Sequence, residues 1–308
     1  MAIAFVFPGQ GSHRAGALAP WQGHPATAVL EEVSAGLGRD VLPLTEDPDA
    51  GARTADAQPA ILAVSLVAAR ALEDAGVRPD VVAGHSLGEF TAAIVAGSLD
   101  ARDGAALVGT RGAAMGEACR TNPGTMAAVV KLDPNAVAAL VAEIDGLVVA
   151  NDNAPGQVVV AGTPNAVAEV RDRAREVGGR ALPLDVEGAF HSPAMAPAVD
   201  PVAAAVARAE VRDPGPTFVS GSTAAPLGGR AEVASALVDG ILAPVRWREV
   251  QERLLAHGVT DLVEVGPGGV LAGLAKRTIP GVTVHKVETP DDLATTLDAL
   301  GASARVGR

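Results

Sequence analysis

Apolar residues along this chain gather into two kinds of run, and the way these alternate predicts a layered fold. Short apolar runs at Ile3 to Phe7, Pro79 to Ala83, Thr217 to Ser220, Asp261 to Val265 and Thr283 to Val287 read as buried strands. Between them lie longer stretches of helical character. Thr54 to Asp74 is apolar on nearly every face and reads as a buried helix. Further helices are expected at Gly88 to Ala96, Ala101 to Cys119, Pro193 to Ala209, Ala231 to Leu242, Pro244 to His257, Val270 to Arg277 and Pro290 to Leu300. Helix, strand and helix in succession are the order of a parallel sheet covered on both faces. Trp21 to Arg53 is polar and broken, as short helices and surface loops would be, and the Gly/Ser/Arg tail after Leu300 is expected to fray.

The texture changes after Asn122-Pro123-Gly124. Strand Thr125 to Lys131, helix Pro134 to Ile144, strands Leu147 to Asn151 and Gln157 to Gly162, helix Pro164 to Val177 and strand Arg180 to Leu184 follow one another. β-α-β-β-α-β is the split unit of a ferredoxin-like fold. The architecture expected is therefore a large α/β-hydrolase-like domain with a parallel sheet, residues 1–122 and 188–308, carrying an inserted ferredoxin-like α+β subdomain, residues 123–187.

Composition narrows the functions available. The 308 residues are 48% apolar, enough for a sizeable core, while aromatics make up only 2%, so small helices packing closely on a Val-rich sheet are expected. A net charge of -12 argues against nucleic acid or an anionic membrane surface as partner, since both need clustered Lys and Arg. The single cysteine, Cys119, forbids an internal disulfide, and the Cys/His spacing gives no zinc pattern, so no metal is expected. There is neither a charged n-region nor a run of about 18 uninterrupted apolar residues. The expectation is a cytoplasmic protein of a reducing compartment.

The chemistry concentrates at Gly84-His85-Ser86-Leu87-Gly88-Glu89, which turns sharply from the strand ending at Ala83 into a helix. This is the pattern of a nucleophile elbow: glycines allow the backbone to fold back on itself and hold Ser86 at the apex beside free N–H groups of a helix start. The bland alternative is a strand-to-helix turn that favours Gly and Ser. Pro8-Gly9-Gln10-Gly11-Ser12 is a second Gly-rich loop leaving a strand, without the lysine of a phosphate loop. Arg111, on a helix, is either solvated or turned inward as a fork for a carboxylate. His191 stands on a loop where the two domains meet, and an attacking serine needs such a base.

Taken together, Phe7-Pro8-Gly9-Gln10-Gly11-Ser12, Gly84-His85-Ser86-Leu87-Gly88-Glu89, Arg111-Gly112 with Met115, Gly188-Ala189-Phe190-His191-Ser192-Pro193, Pro244-Val245-Arg246-Trp247 and Glu264-Val265-Gly266-Pro267-Gly268 stand in an informative order. The chain resembles, over nearly its whole length, the malonyl-CoA:acyl carrier protein transacylases and the acyltransferase domains of polyketide synthases. The resemblance implies that Ser86 takes the acyl group and His191 is its base. A main-chain carbonyl, assigned to Gly240, orients the imidazole in place of an aspartate. The backbone N–H groups of Gln10 and Leu87 form the oxyanion hole, Arg111 grips the malonyl carboxylate, and Phe190 and His85 touch substrate. Phe190 and Leu87 are like those of members that take malonyl in preference to methylmalonyl, a difference of one methyl, worth about 1–3 kcal/mol.

The resemblance further implies a coenzyme A thioester as substrate, no bound cofactor, an acyl carrier protein as partner with phosphopantetheine as its own group, and a monomer. Two departures are visible: Asp239-Gly240-Ile241-Leu242 lacks the family's usual glutamine, and His13 stands where glutamine is frequent. Arg171, Arg173, Arg175, Arg180, Lys276 and Arg277 are candidates for a local basic face toward an acidic carrier. The alternatives are a trans-acting polyketide-pathway transferase for another acyl unit, a serine thioesterase or hydrolase using water, and a non-catalytic docking module.

Overall fold

The computed structural model describes residues 2–301, so the tail expected to fray lies, beyond Gly301, outside the described residues. Its strands are β1 (Ile3–Phe7), β2 (Val81–Gly84), β3 (Thr125–Val130), β4 (Leu147–Ala154), β5 (Gln157–Gly162), β6 (Arg180–Pro183), β7 (Thr217–Val219), β8 (Asp261–Val265) and β9 (Thr283–Val287). Five of them form a parallel sheet in the order β7-β2-β1-β8-β9. β1 lies at its centre and is buried on both faces. Phe5 and Phe7 join one core with Ile61 and Leu62 of the helix Thr54–Asp74, while Ala4 and Val6 join another with Trp247 and Leu271. That double burial is why these strands read as uninterrupted apolar runs. The helix Thr54–Asp74 is long and apolar enough to cross a membrane, yet 83% of its most apolar window is buried inside the fold.

The segment between residues 123 and 187 forms a separate antiparallel sheet, β4-β5-β3-β6. Helices Pro134–Ala142 and Pro164–Glu176 pack on it through Val137, Val167 and Val170, which meet Val129 and Val160. Both helices begin with proline in the first turn and a capping side chain before it. Asp133 accepts from the N–H groups of Asn135 and Ala136, and Thr163 from that of Ala166.

Some element bounds differ from those expected, for physical reasons. The helix expected over Pro193 to Ala209 is a 3-10 stretch, Pro193–Ala198, followed by the α-helix Val199–Val206. Pro197 has no N–H for a continuous α-helical ladder. The helix expected from Pro244 starts at Trp247 instead. Val245 is held out in a bridge to β4, its N–H on Ala150 O and its carbonyl on the Asp152 N–H, both at 2.9 Å. β4 in turn runs on past Asn151 to Ala154 across two irregularities of register.

Phe7 and Gly84 face each other in register at the ends of β1 and β2. The loops that leave these strands are therefore neighbours at the carboxyl edge of the sheet, where parallel sheets open their ligand crevices.

Candidate active site

The turn at the end of β2 is shaped by the absence of two side chains. A Cβ on Gly84 would lie 2.0 Å from the backbone carbon of Gly88, and one on Gly88 would lie 2.1 Å from the Phe7 carbonyl oxygen. Gly88→Ala is therefore expected to destabilise the fold by about 1–3 kcal/mol, because the obstacle is main chain of the central strand and cannot swing aside. Thermal unfolding measures this, and an unchanged midpoint would contradict the packing. The crowded turn leaves Ser86 in the left-handed region, at φ 54°. Helix Gly88–Val95 starts immediately behind it, with Leu87 at the capping position.

His191 has the same uncommon backbone, at φ 55°. Its loop is anchored from several sides. Ser192 Oγ donates to Ala189 O at 2.6 Å, and Glu187 accepts from the Thr54 N–H at 2.7 Å. Thr54 Oγ1 also receives Gln10 Nε2 at 3.1 Å, so the loop after β1, the long apolar helix and the His191 loop are tied in one chain of hydrogen bonds. Two non-glycine residues with positive φ, each holding about 1–3 kcal/mol of strain, mark a place the surrounding structure over-determines.

These turns bring three side chains to one oxygen. His191 Nε2 lies 2.8 Å from Ser86 Oγ, and Arg111 Nη2 donates to the same oxygen at 3.1 Å. His191 Nδ1 lies 2.9 Å from the Ala243 carbonyl. A carbonyl only accepts, so Nδ1 carries the proton and Nε2 is left as acceptor for the serine hydroxyl. The acceptor expected at Gly240 is thus corrected to Ala243. The chain turns after helix Arg230–Asp239 so that the later carbonyl meets the ring, with Gly240 a lesser backbone contribution.

Arg111 is not on the surface: it is 2% exposed, with its guanidinium 5.6 Å above the Phe90 ring centre. Burial pushes its pKa down to about 10, a shift that Glu89 opposes. Glu89 is itself buried, accepts from the Gly221 N–H at 3.0 Å, and is pushed up to about 7 chiefly by burial. His191 is pushed down to about 3 by burial, then by the positive charge of Arg111 and by His85. The site therefore holds a cation beside a neutral imidazole.

Gln10, His85, Ser86, Arg111, Phe190 and His191 all line one cavity of about 240 Å³ between the two sheets. Leu87 is fully buried behind the turn, and Gly240 does not line the cavity. Sequence reasoning passed over Gln58, Asn151 and Asn153, which also line it. Gln58 Oε1 is buried without a hydrogen-bond partner. Its signal was a lone amide in an otherwise apolar helix, and that of the asparagines was a pair two apart in a strand, a residue type strands disfavour. Asn153 Oδ1 meets His85 Nε2 at 2.9 Å. The basic candidates are partly engaged, Arg173 with Glu143 and Glu169, and Arg277 with Gln157 and the Pro155 carbonyl.

Comparison with known proteins places the chain among relatives. A family model described as an acyl transferase domain matches residues 4–290. A malonyl CoA-acyl carrier protein transacylase of Mycobacterium bovis is 39% identical over 297 residues, covering 94% of this chain and 98% of that protein. The crystal structure of an acyl-carrier-protein S-malonyltransferase from Burkholderia pseudomallei superposes with a TM-score of 0.92 at 38% identity, covering 97% of this chain and all of the other. A malonyl-transacylase solved in complex with its type II polyketide acyl carrier protein superposes equally well, TM-score 0.92 at 34% identity over 97% of this chain and 100% of that one.

Proposed function

Since the chain belongs to the acyl transferase domain family, we propose that it moves a malonyl group from malonyl-CoA to the phosphopantetheine thiol of an acyl carrier protein, through an ester on Ser86. The observation that carries this reading is the single oxygen, Ser86 Oγ, 2.8 Å from a neutral imidazole and 3.1 Å from a buried guanidinium. Nucleophile, base and a receptor for a carboxylate share one atom's surroundings.

In this reading Ser86 gives its proton to His191 Nε2 as Oγ attacks the thioester carbonyl carbon. The carbonyl electron pair moves onto oxygen, where the backbone N–H groups of Gln10 and Leu87 stabilise it. Collapse breaks the C–S bond, and the departing thiolate takes the proton from His191. The carrier's thiol then gives its proton to the same nitrogen and attacks the ester, the C–Oγ bond breaks, and Ser86 Oγ takes that proton back from His191. Arg111 leaves Ser86 Oγ for the malonyl carboxylate, and Phe190 and His85 bound the acyl group. The group on the carrier is substrate, so the protein needs no cofactor of its own. We read residues 1–122 and 188–308 as an α/β-hydrolase-like domain and 123–187 as a ferredoxin-like insert, whose strand order β4-β5-β3-β6 supports the comparison. A nucleophile, base and cation that all come from one chain are in keeping with a monomer.

The test is intact-mass measurement after incubation with malonyl-, methylmalonyl- and acetyl-CoA: a malonyl adduct that transfers to a thiol is expected. Rapid turnover to free acid without any thiol would replace the reading with a hydrolase.

The depressed His191 gives a pH signature. A base whose pKa is lowered stays neutral, and active, to lower pH than free imidazole, whose ordinary value is about 6.5. kcat/KM is expected to show no acid limb near 6.5 belonging to His191. An inflection near 7 would belong to Glu89 and disappear in Glu89→Gln. A limb near 6.5 that survives that substitution would contradict the assignment.

A further inference from the structure

His191 is aimed by a backbone carbonyl, and that carbonyl is in turn held by the small sheet. Ala243 lies two residues before Val245, which β4 grips on both sides through Ala150 O and the Asp152 N–H, each at 2.9 Å. Three residues further on, Arg248 takes the Asp152 carboxylate in a fork, Nε and Nη2 reaching Oδ2 at 3.0 and 2.8 Å, with Oδ1 at 3.3 Å from Nε. The two side chains are only 25% and 16% exposed, so solvent screens the pair weakly. Gln251 Nε2 donates to Asn153 O at 3.0 Å, and Trp247 packs edge-on to His85 at 5.4 Å. β4 therefore reaches the site at two points, through Val245 to Ala243 and through the Asn153 side chain to His85 beside the nucleophile.

We infer that the Asp152–Arg248 pair is a latch between the small sheet and the segment 243–248, making both residues positioning residues that keep His191 Nε2 on Ser86. Neither side chain lines the cavity. Their influence must pass through main chain: a shift of β4 against Trp247–Ala256 carries Val245 with it, and Ala243 follows within two residues. A displacement of about 1 Å at such a distance is enough to slow a proton transfer by up to about a hundredfold. The segment is also the seam between the two sheets, so the attitude of the insert and the aim of the base are one variable.

The inference rests on His191 being the base, and the experiment separates the two. Single-turnover malonylation of Ser86 is followed by rapid quench and intact mass for Asp152→Asn, Arg248→Lys, the exchanged pair Asp152→Arg/Arg248→Asp, His191→Ala and Glu252→Gln. Asp152→Asn keeps the shape and Arg248→Lys keeps the charge without the planar fork, so both single variants retain the core while losing the paired bonds. Both are expected to load at least about tenfold more slowly at saturation with the concentration for half-saturation unchanged, and the exchanged pair to recover. Glu252 is exposed and bonds Arg248 at 2.9 Å from its own helix, so Glu252→Gln is expected to load normally. Normal loading by both single variants, or a rise in half-saturating concentration with the rate unchanged, overturns the latch. Normal loading by His191→Ala overturns instead the reading on which it rests.

Discussion

Ser86→Ala is expected to abolish the malonyl adduct and to lower transfer to a carrier thiol by about 10⁴-fold or more. The size follows from how the site divides its labour. His191 has its proton on Nδ1, committed to the Ala243 carbonyl, and its free Nε2 points at Ser86 Oγ. With the hydroxyl gone there is no atom to attack, and the imidazole would have to activate a water, since Ser12, which also lines the cavity, has its hydroxyl on Gly9 O at 2.8 Å. What remains is the stabilisation offered by backbone N–H groups and binding, which in serine enzymes leaves a small residual rate. The residue is half-buried in a turn that alanine also fits, so folding is expected to be unaffected. Covalent loading by labelled malonyl-CoA at the normal level would end the assignment of Ser86 as nucleophile.

Arg111→Ala is expected to separate charged from neutral acyl groups. The guanidinium is 2% exposed, and a malonyl carboxylate entering beside it gives up nearly all its water. Removing one partner of a buried ion pair typically costs about 3–5 kcal/mol, because the other charge is stranded. At about 1.4 kcal/mol per factor of ten, kcat/KM for malonyl-CoA should fall by about 10²-fold to several thousandfold. Acetyl-CoA carries no such charge and should be affected far less. The ratio of the two kcat/KM values is the measurement; an equal fall in both would mean that Arg111 organises the pocket and does not receive a carboxylate.

Much of the site was legible because its parts have steric or chemical signatures. Gly84 and Gly88 announce a turn that no Cβ tolerates, and a serine between them is displayed by that turn. Arg111 and His191 were legible only through their resemblance to a family pattern, since a single arginine in a helix or histidine in a loop is ambiguous alone. The orienting carbonyl was misplaced at Gly240 for a simple reason. Every residue owns a carbonyl, so Ala243 has no signature, and three residues of turn geometry decide which one faces the ring. The strand expected to end at Asn151 runs on to Ala154, an extension not legible because Asp152 and Asn153 are residue types that strands disfavour. Their strand conformation is set by pairing with β5 on one side and by a bridge to Val245, nearly a hundred positions later, on the other. Glu89 stood in the motif as a letter, but its raised pKa comes from burial in the folded chain, which the hydrogen bonds from Gly221 and Ser220 oppose.

The order of the large sheet, β7-β2-β1-β8-β9, bears on how the molecule is born. Its middle strand is the earliest of the five in the chain, and one flank of that strand stays open until Asp261–Val265 has left the ribosome. Through most of synthesis an apolar ribbon with unpaired amides is on offer to any other strand, its own siblings on a polysome included. Yield in a host cell should accordingly depend on chaperone supply and slow translation more than on the resilience of the finished protein.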